Sequence, residues 1–193
     1  MQIKKSLAIL CFLLATTLGM SAQKVGIKTN LISDAVTSPS LGVEFKMAPK
    51  WTMDISGQVN AWNIHDRRWR HWMAQPEARL WFCEAFQGSF IGFHAIGGQF
   101  NIGNIDNNIK FLGSDFSKLK DHRYQGWGVG AGVAYGYAWI LGKHWNTELE
   151  LGIGWIYCHY DRYPCAVCGT QDGKGHHNYF GPTKLSWAIE YIF

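Results

Sequence analysis

The sequence predicts an all-β protein: an eight-stranded antiparallel up-and-down transmembrane β-barrel. Three observations predict it. Eight segments alternate apolar and polar or glycine residues with period two, the spacing at which strand side chains point to opposite faces. The chain is rich in two residue types that a membrane barrel uses for its girdles and its crowded interior, with ten Trp and 22 Gly among 193 residues. And the N-terminus has the anatomy of an export signal.

That signal spans residues 1–22. Lys4 and Lys5 precede an apolar run from Ser6 to Leu18, and small residues lead to Ser21-Ala22, leaving Gln23 first. The run is too short for a retained spanning helix, and Cys11 lies inside it rather than at its end, which argues against lipidation. Residues 23–193 form one domain. The formal net charge of +4 falls to about +2 when Lys4 and Lys5 leave, too little to suggest nucleic acid as a partner.

The strands follow in order. Val25–Leu31 places Lys28 and Asn30 on its polar face, and Leu41–Met47 places Glu44 and Lys46 there. In 51–62, Trp51, Met53, Ile55, Val59 and Ala61 alternate with Thr52, Asp54, Ser56, Gln58 and Asn60. Trp72–Cys83 carries Gln75, Glu77 and Arg79 on one face and Pro76 on the other, where the missing N–H weakens pairing. Phe90–Phe100 contributes His94. The uncharged stretch GWGVGAGVAYGYAWILG, 126–142, reads as a strand: Trp127 to Trp139 supply one large apolar face, and glycine and alanine supply the other. Its glycines would each cost a helix about 1 kcal/mol. Residues 146–157 set Glu148 and Glu150 against Leu149, Leu151, Ile153 and Trp155. Residues 185–193 set Glu190 against Leu185, Trp187, Ile189, Tyr191 and Phe193.

Short connections at 48–50, 85–88 and 141–144 alternate with long ones at 34–40, 65–71, 104–123 and 161–178, as periplasmic turns and outer loops do. Within the third long connection, Ser114 could cap a short helical turn. Aromatic residues gather at two rims. Trp51, Trp81, Trp139, Trp145 and Phe193 mark one; Trp62, Trp72, Trp127 and Tyr157 mark the other. A membrane barrel turns its apolar face to lipid, so Lys28, Glu44, Lys46, Asp54, Glu77, Arg79, Glu148, Glu150 and Glu190 become a paired network in a lumen too narrow for a channel. A soluble lipocalin-like ligand binder, with the faces reversed, is the alternative that polarity alone leaves open.

The stretches QKVGIKTNL, KDHRYQGWGVGAGVAYGYAWILGKHWN and NYFGPTKLSWAIEYIF resemble a family of small outer-membrane β-barrels known as a domain of unknown function. The resemblance covers nearly the whole mature chain. It implies this fold and an outer-membrane location in a Gram-negative envelope. It implies no catalytic residues, and it associates some relatives with surface-fibre or peptidoglycan-binding partners.

Three constellations could carry chemistry. In 158–177, Cys165 and Cys168 form Cys-x-x-Cys, and His176 and His177 could complete tetrahedral zinc, with Cys158 nearby. A Cys165–Cys168 disulfide is the competing reading, favoured by export, and no other cofactor is suggested. Cys83 and Cys158 fall at opposite rims and should not pair. In 65–72, Arg67, Arg68, Trp69, Arg70 and Trp72 form a basic aromatic loop, backed by Lys118, Lys120, His122 and Arg123. It suits an acidic glycan, a surface partner, or the phosphates of lipopolysaccharide. The lumen carboxylates could in principle do acid–base work. The expected function is a non-enzymatic, pore-less barrel with an envelope-structural or surface-interaction role. Its expected partners are outer-membrane lipid, the assembly machinery and an envelope or surface protein. A lipid-modifying enzyme is the alternative, with His65, Asp66, His71 and Ser114 as loose candidates, although no nucleophile-elbow motif is present.

Overall fold

A computed structural model describes residues 24–64, 67–103, 110–111, 114–115, 122–164 and 169–193. The segment expected to be an export signal lies outside them.

The described chain is all-β apart from one helical turn. Its elements are β1 (Val25–Asn30), α1 (Leu31–Ala35), β2 (Ser40–Ala48), β3 (Trp51–Asn60), β4 (Arg67–Trp81), β5 (Gly88–Gly103), β6 (Arg123–Ile140), β7 (Trp145–Tyr163) and β8 (Gly173–Ile192). Each strand pairs antiparallel with its sequence neighbours, and β8 pairs back onto β1, so eight strands close a ring. Two-residue strands at Asn63–Ile64, Lys110–Phe111 and Ser114–Asp115 add small hairpins. Ser114, expected to cap a helical turn, pairs with Phe111 instead. We call the rim with turns at 49–50, 82–87 and 141–144 the lower rim.

The alternation governs which side chains are enclosed. Along β7, Asn146, Glu148 and Glu150 are buried, while Trp145, Leu149, Leu151, Ile153 and Trp155 are about half exposed. The enclosed face is therefore the polar one, the reverse of a soluble barrel around an apolar ligand. On β6 the enclosed face is glycine and alanine because other strands fill that space. A Cβ on Gly132 would stand 2.6 Å from His94 Nε2, and one on Gly136 would strike the Phe90 ring.

The ring has a low side and a tall side. β1, β2 and β3 have 6, 9 and 10 residues, whereas β6, β7 and β8 have 18, 19 and 20. Two of the four long-loop expectations are corrected here. Residues 67–71 belong to β4, and the connection expected over 161–178 shrinks to 164–172 because β7 and β8 run on to Tyr163 and from Gly173. The extension is possible because a bulge at Gly152/Ile153 opposite Pro182–Lys184 resets the parity of β8. Proline suits that place, having no N–H to donate. Pro76 behaves as expected: its ladder to β5 skips Gln75 and Pro76, and that to β3 continues. On the low side the strand stops at Asn30, whose side chain accepts from Ile32 N at 3.1 Å and caps α1, so Leu31 is helical rather than extended.

The lower mouth is closed by hydrocarbon. Trp81, Phe86 and Phe90 are almost wholly buried with Ala85 and Ala138, and the Trp81 and Phe90 rings are 4.6 Å apart. Trp81 was expected at the lower girdle; it points inward, with Nε1 donating to Thr52 Oγ1 at 2.8 Å. Parity requires this, since Trp81 shares a face with Glu77 and Arg79. Phe86 reaches its place through a left-handed backbone (φ 70°), held by Asn146 Nδ2 donating to its carbonyl at 2.7 Å.

Candidate functional site: an enclosed charge network and a basic outer wall

Above the aromatic floor the strands bring the expected lumen residues together. Arg79 of β4 is at the centre and is fully buried. Its Nε donates to Glu77 Oε1 at 2.6 Å. Nη1 donates to Glu44 Oε2 at 2.6 Å and Glu148 Oε2 at 2.8 Å, and Nη2 donates to Glu150 Oε2 at 2.7 Å. The planar fork thus ties β4 to β2 and β7 across the ring. Beneath it the guanidinium lies 4.5 Å over the Phe90 ring. Lys28 donates to Glu44 at 2.8 Å and Glu148 at 3.0 Å, and lies 3.1 Å from Asp54. Lys46 is only half buried, near the lower rim, and among the described residues no ion pair joins it to the network.

Two members were not anticipated. Lys184 of β8 donates to Glu77 at 2.7 Å and lies 3.1 Å from Glu150. Its parity with Ser186, Ala188 and Glu190 is the signal in the sequence, hidden because the clean alternation begins only at Leu185. His94 lies on the polar face of β5, as its parity predicts. Its Nε2 is 2.9 Å from Thr183 Oγ1, and Gln75 Nε2 donates to Thr183 O at 3.3 Å. The bulge points Thr183 inward to meet both.

Five buried carboxylates, from Glu44, Asp54, Glu77, Glu148 and Glu150, share three cations, Lys28, Arg79 and Lys184, and a sixth, Glu190, is buried beside them with no ion pair among the described residues. Glu190 packs over Gly26, where a Cβ would stand 2.6 Å from its carboxyl carbon. Glu44, Glu148 and Glu190 each bring an oxygen within 4.8 Å of the others. Lys28 and Arg79 already engage Glu44 and Glu148, so this is an ion-paired cluster rather than an open donor set. Higher still, a polar cavity of about 310 Å³ is lined by residues including Asn30, Ser33, Gln58 and Gln75.

Of the proposed metal donors, only His176 and His177 fall among the described residues. Cys165 and Cys168 lie outside the described residues. His176 and His177 are consecutive in β8, opposite His159 and Cys158 respectively, so their imidazoles stand on opposite faces. Cys83 is exposed at the lower rim, Cys158 is half buried high on β7, and both are free thiols. Among the enzyme candidates, His65 and Asp66 lie outside the described residues, and His71 Nε2 sits 3.5 Å from the Gln58 amide.

The basic set expected as a loop forms the upper outer wall. Arg68 and Arg70 project outward from β4, whereas Trp69 turns inward, its ring edge-on to His71 with centroids 5.9 Å apart. Arg67 opens the strand. Arg68 is opposite Gly103, and Gly103 is opposite Arg123, so two arginines flank a glycine on one outward row. The Arg123 guanidinium lies 4.0 Å over the Tyr163 ring. Arg68 is held below the usual arginine range, first by partial burial and then by the charges of Arg123 and Arg70. Further along the upper edge, Arg162 is raised by its 3.0 Å hydrogen bond to Asp172. Below the arginines runs the row Val59, Trp72, Gln99, Trp127, His159 and His176. Lys118 and Lys120 lie outside the described residues.

No curated protein and no solved structure is significantly similar to the chain. The family model described as a protein of unknown function, DUF3575, matches residues 8–193. The chain therefore belongs to the DUF3575 family.

Proposed function

We propose that the protein is an exported outer-membrane β-barrel without an open pore, serving an envelope-structural or surface-interaction role through its upper wall and loops. One observation carries this reading: the polarity of the ring is inverted. Charged side chains are sealed inside, while Ile55, Phe93, Val133, Leu151, Leu185 and Trp187 are each about half exposed on the outside. The apolar face runs around the ring, whereas the largest apolar patch of a soluble monomer is about 300–600 Å². Its height also fits. Trp127 and Trp139 bracket β6, and twelve strand steps tilted by about 40° rise about 30 Å, matching an apolar band with aromatic girdles. The filled lumen supports the absence of a pore. The extended tall side supports contact with a partner beyond the bilayer.

The experiment is to prepare residues 23–193 with and without detergent. The reading expects aggregation without amphiphile, and in micelles a compact species that migrates differently on gels when unheated. A chain that stays monodisperse in plain buffer overturns it.

A further inference from the structure

We propose that the upper outer wall between Trp72 and Trp127 is a binding site for the phosphorylated sugar headgroup of an outer-leaflet glycolipid, with Arg68 and Arg123 clamping the phosphate. This rests on the membrane reading above and assigns that surface a ligand. A groove of about 450 Å³ lies here, lined by residues including Val59, Arg70, Trp72, Gln99, Trp127 and Asp161, whose Oδ1 accepts from Gln171 Nε2 at 2.8 Å. Its lower edge is apolar and aromatic, at the height where acyl chains give way to headgroups. Trp72 Nε1 donates to Gln99 Oε1 at 3.2 Å, which orients the indole along the wall.

One step higher the groove floor is amide. Asn101 Nδ2 donates to Gln125 Oε1 at 3.4 Å, and Asn101 Oδ1 is buried with no donor to it. A sugar hydroxyl or N-acyl N–H is a donor of the required kind. Above the amides is the row Arg68–Gly103–Arg123. Its two arginines lie two strand spacings apart, about 10 Å between Cα atoms. Glycine between them lets Arg123 pack close over the strand: a Cβ there would stand 3.0 Å from Arg123 Cα and Cβ. Arg123 Nε is buried with no acceptor, and among the described residues no carboxylate pairs with Arg68 or Arg123. Like charges held side by side on one row call for an anion, and the guanidinium fork matches phosphate oxygens in pairs. Apolar edge, amide floor and cationic top follow the order of acyl chain, sugar and phosphate in one amphiphile.

The test uses the full mature chain in detergent, with native mass spectrometry of bound lipid. The probes are lipid A, its dephosphorylated form and zwitterionic phosphatidylcholine. Wild-type protein should bind lipid A at least tenfold more tightly than either other lipid. Arg68→Gln combined with Arg123→Gln should lose at least that factor, while Lys143→Gln at the lower rim should not. Heat-modifiable migration reports that each variant is folded, and Arg123→Gln alone serves if the double variant is not. Equal binding of the three lipids, or undiminished binding by a folded Arg variant, overturns the site. In that case a protein still dependent on amphiphile retains the membrane reading. Monodispersity without amphiphile overturns both.

Discussion

Val133 offers the sharpest test of which way the wall faces. It lies midway between Trp127 and Trp139 on β6, points outward, and is 46% exposed. If the wall faces water, Val133→Arg is an ordinary surface change, worth within about 0.5 kcal/mol. If it faces hydrocarbon, the guanidinium sits near the midplane, where such a substitution costs about 2–4 kcal/mol. Val129 has the same exposure, 46%, but lies two residues from the upper tryptophan. There the cost of arginine falls towards about 0–1 kcal/mol, because the side chain can reach the interface. The expected result is thus a difference between two variants of one strand. Urea titrations of the mature chain refolded into vesicles, followed by tryptophan fluorescence, would measure it. Equal and small effects at both positions would refute the argument, even if detergent proved necessary for other reasons.

The enclosed residues make further predictions. Arg79→Ala leaves four hydrogen-bonded carboxylates short of their shared cation and should cost about 3–5 kcal/mol in the same titration. Arg79→Lys should recover only part of it, since one ammonium cannot span the fork's acceptors. Trp81→Ala removes the largest ring of the lower plug and the bond to Thr52, and should cost about 3–5 kcal/mol, read from the same unfolding curves. Gly132→Val drives a side chain into His94 and the β7 backbone, so the folded fraction on unheated gels should drop sharply. Gly142→Val, whose Cβ would meet nothing within 4 Å, should leave that fraction unchanged. Maleimide should label Cys83 faster than Cys158, in line with their exposure, in a variant retaining only those two cysteines.

Much of the charge network was legible because parity is local. Glu77, Arg79, Glu148 and Glu150 each sit in an uninterrupted alternating run, and any such run assigns its side chains to two faces. The same rule placed Trp81 inside with Arg79. Treating it as a girdle residue followed its position near a strand end, and parity prevailed. Lys184 escaped because the β8 bulge breaks the alternation two residues before the recognisable run begins. The upper wall escaped because Arg67–His71 read as a charged, turn-like segment. Pairing with a long β5 made it strand.

The sequence by itself determined that these segments are strands and which residues share a face, since the two-residue repeat is a property of the backbone. Only the tertiary structure decided which face closes inward, how far the tall strands extend, and that Arg68 meets Arg123 across Gly103. Those depend on register and ring closure, which join residues dozens of positions apart through hydrogen bonds that no local pattern specifies.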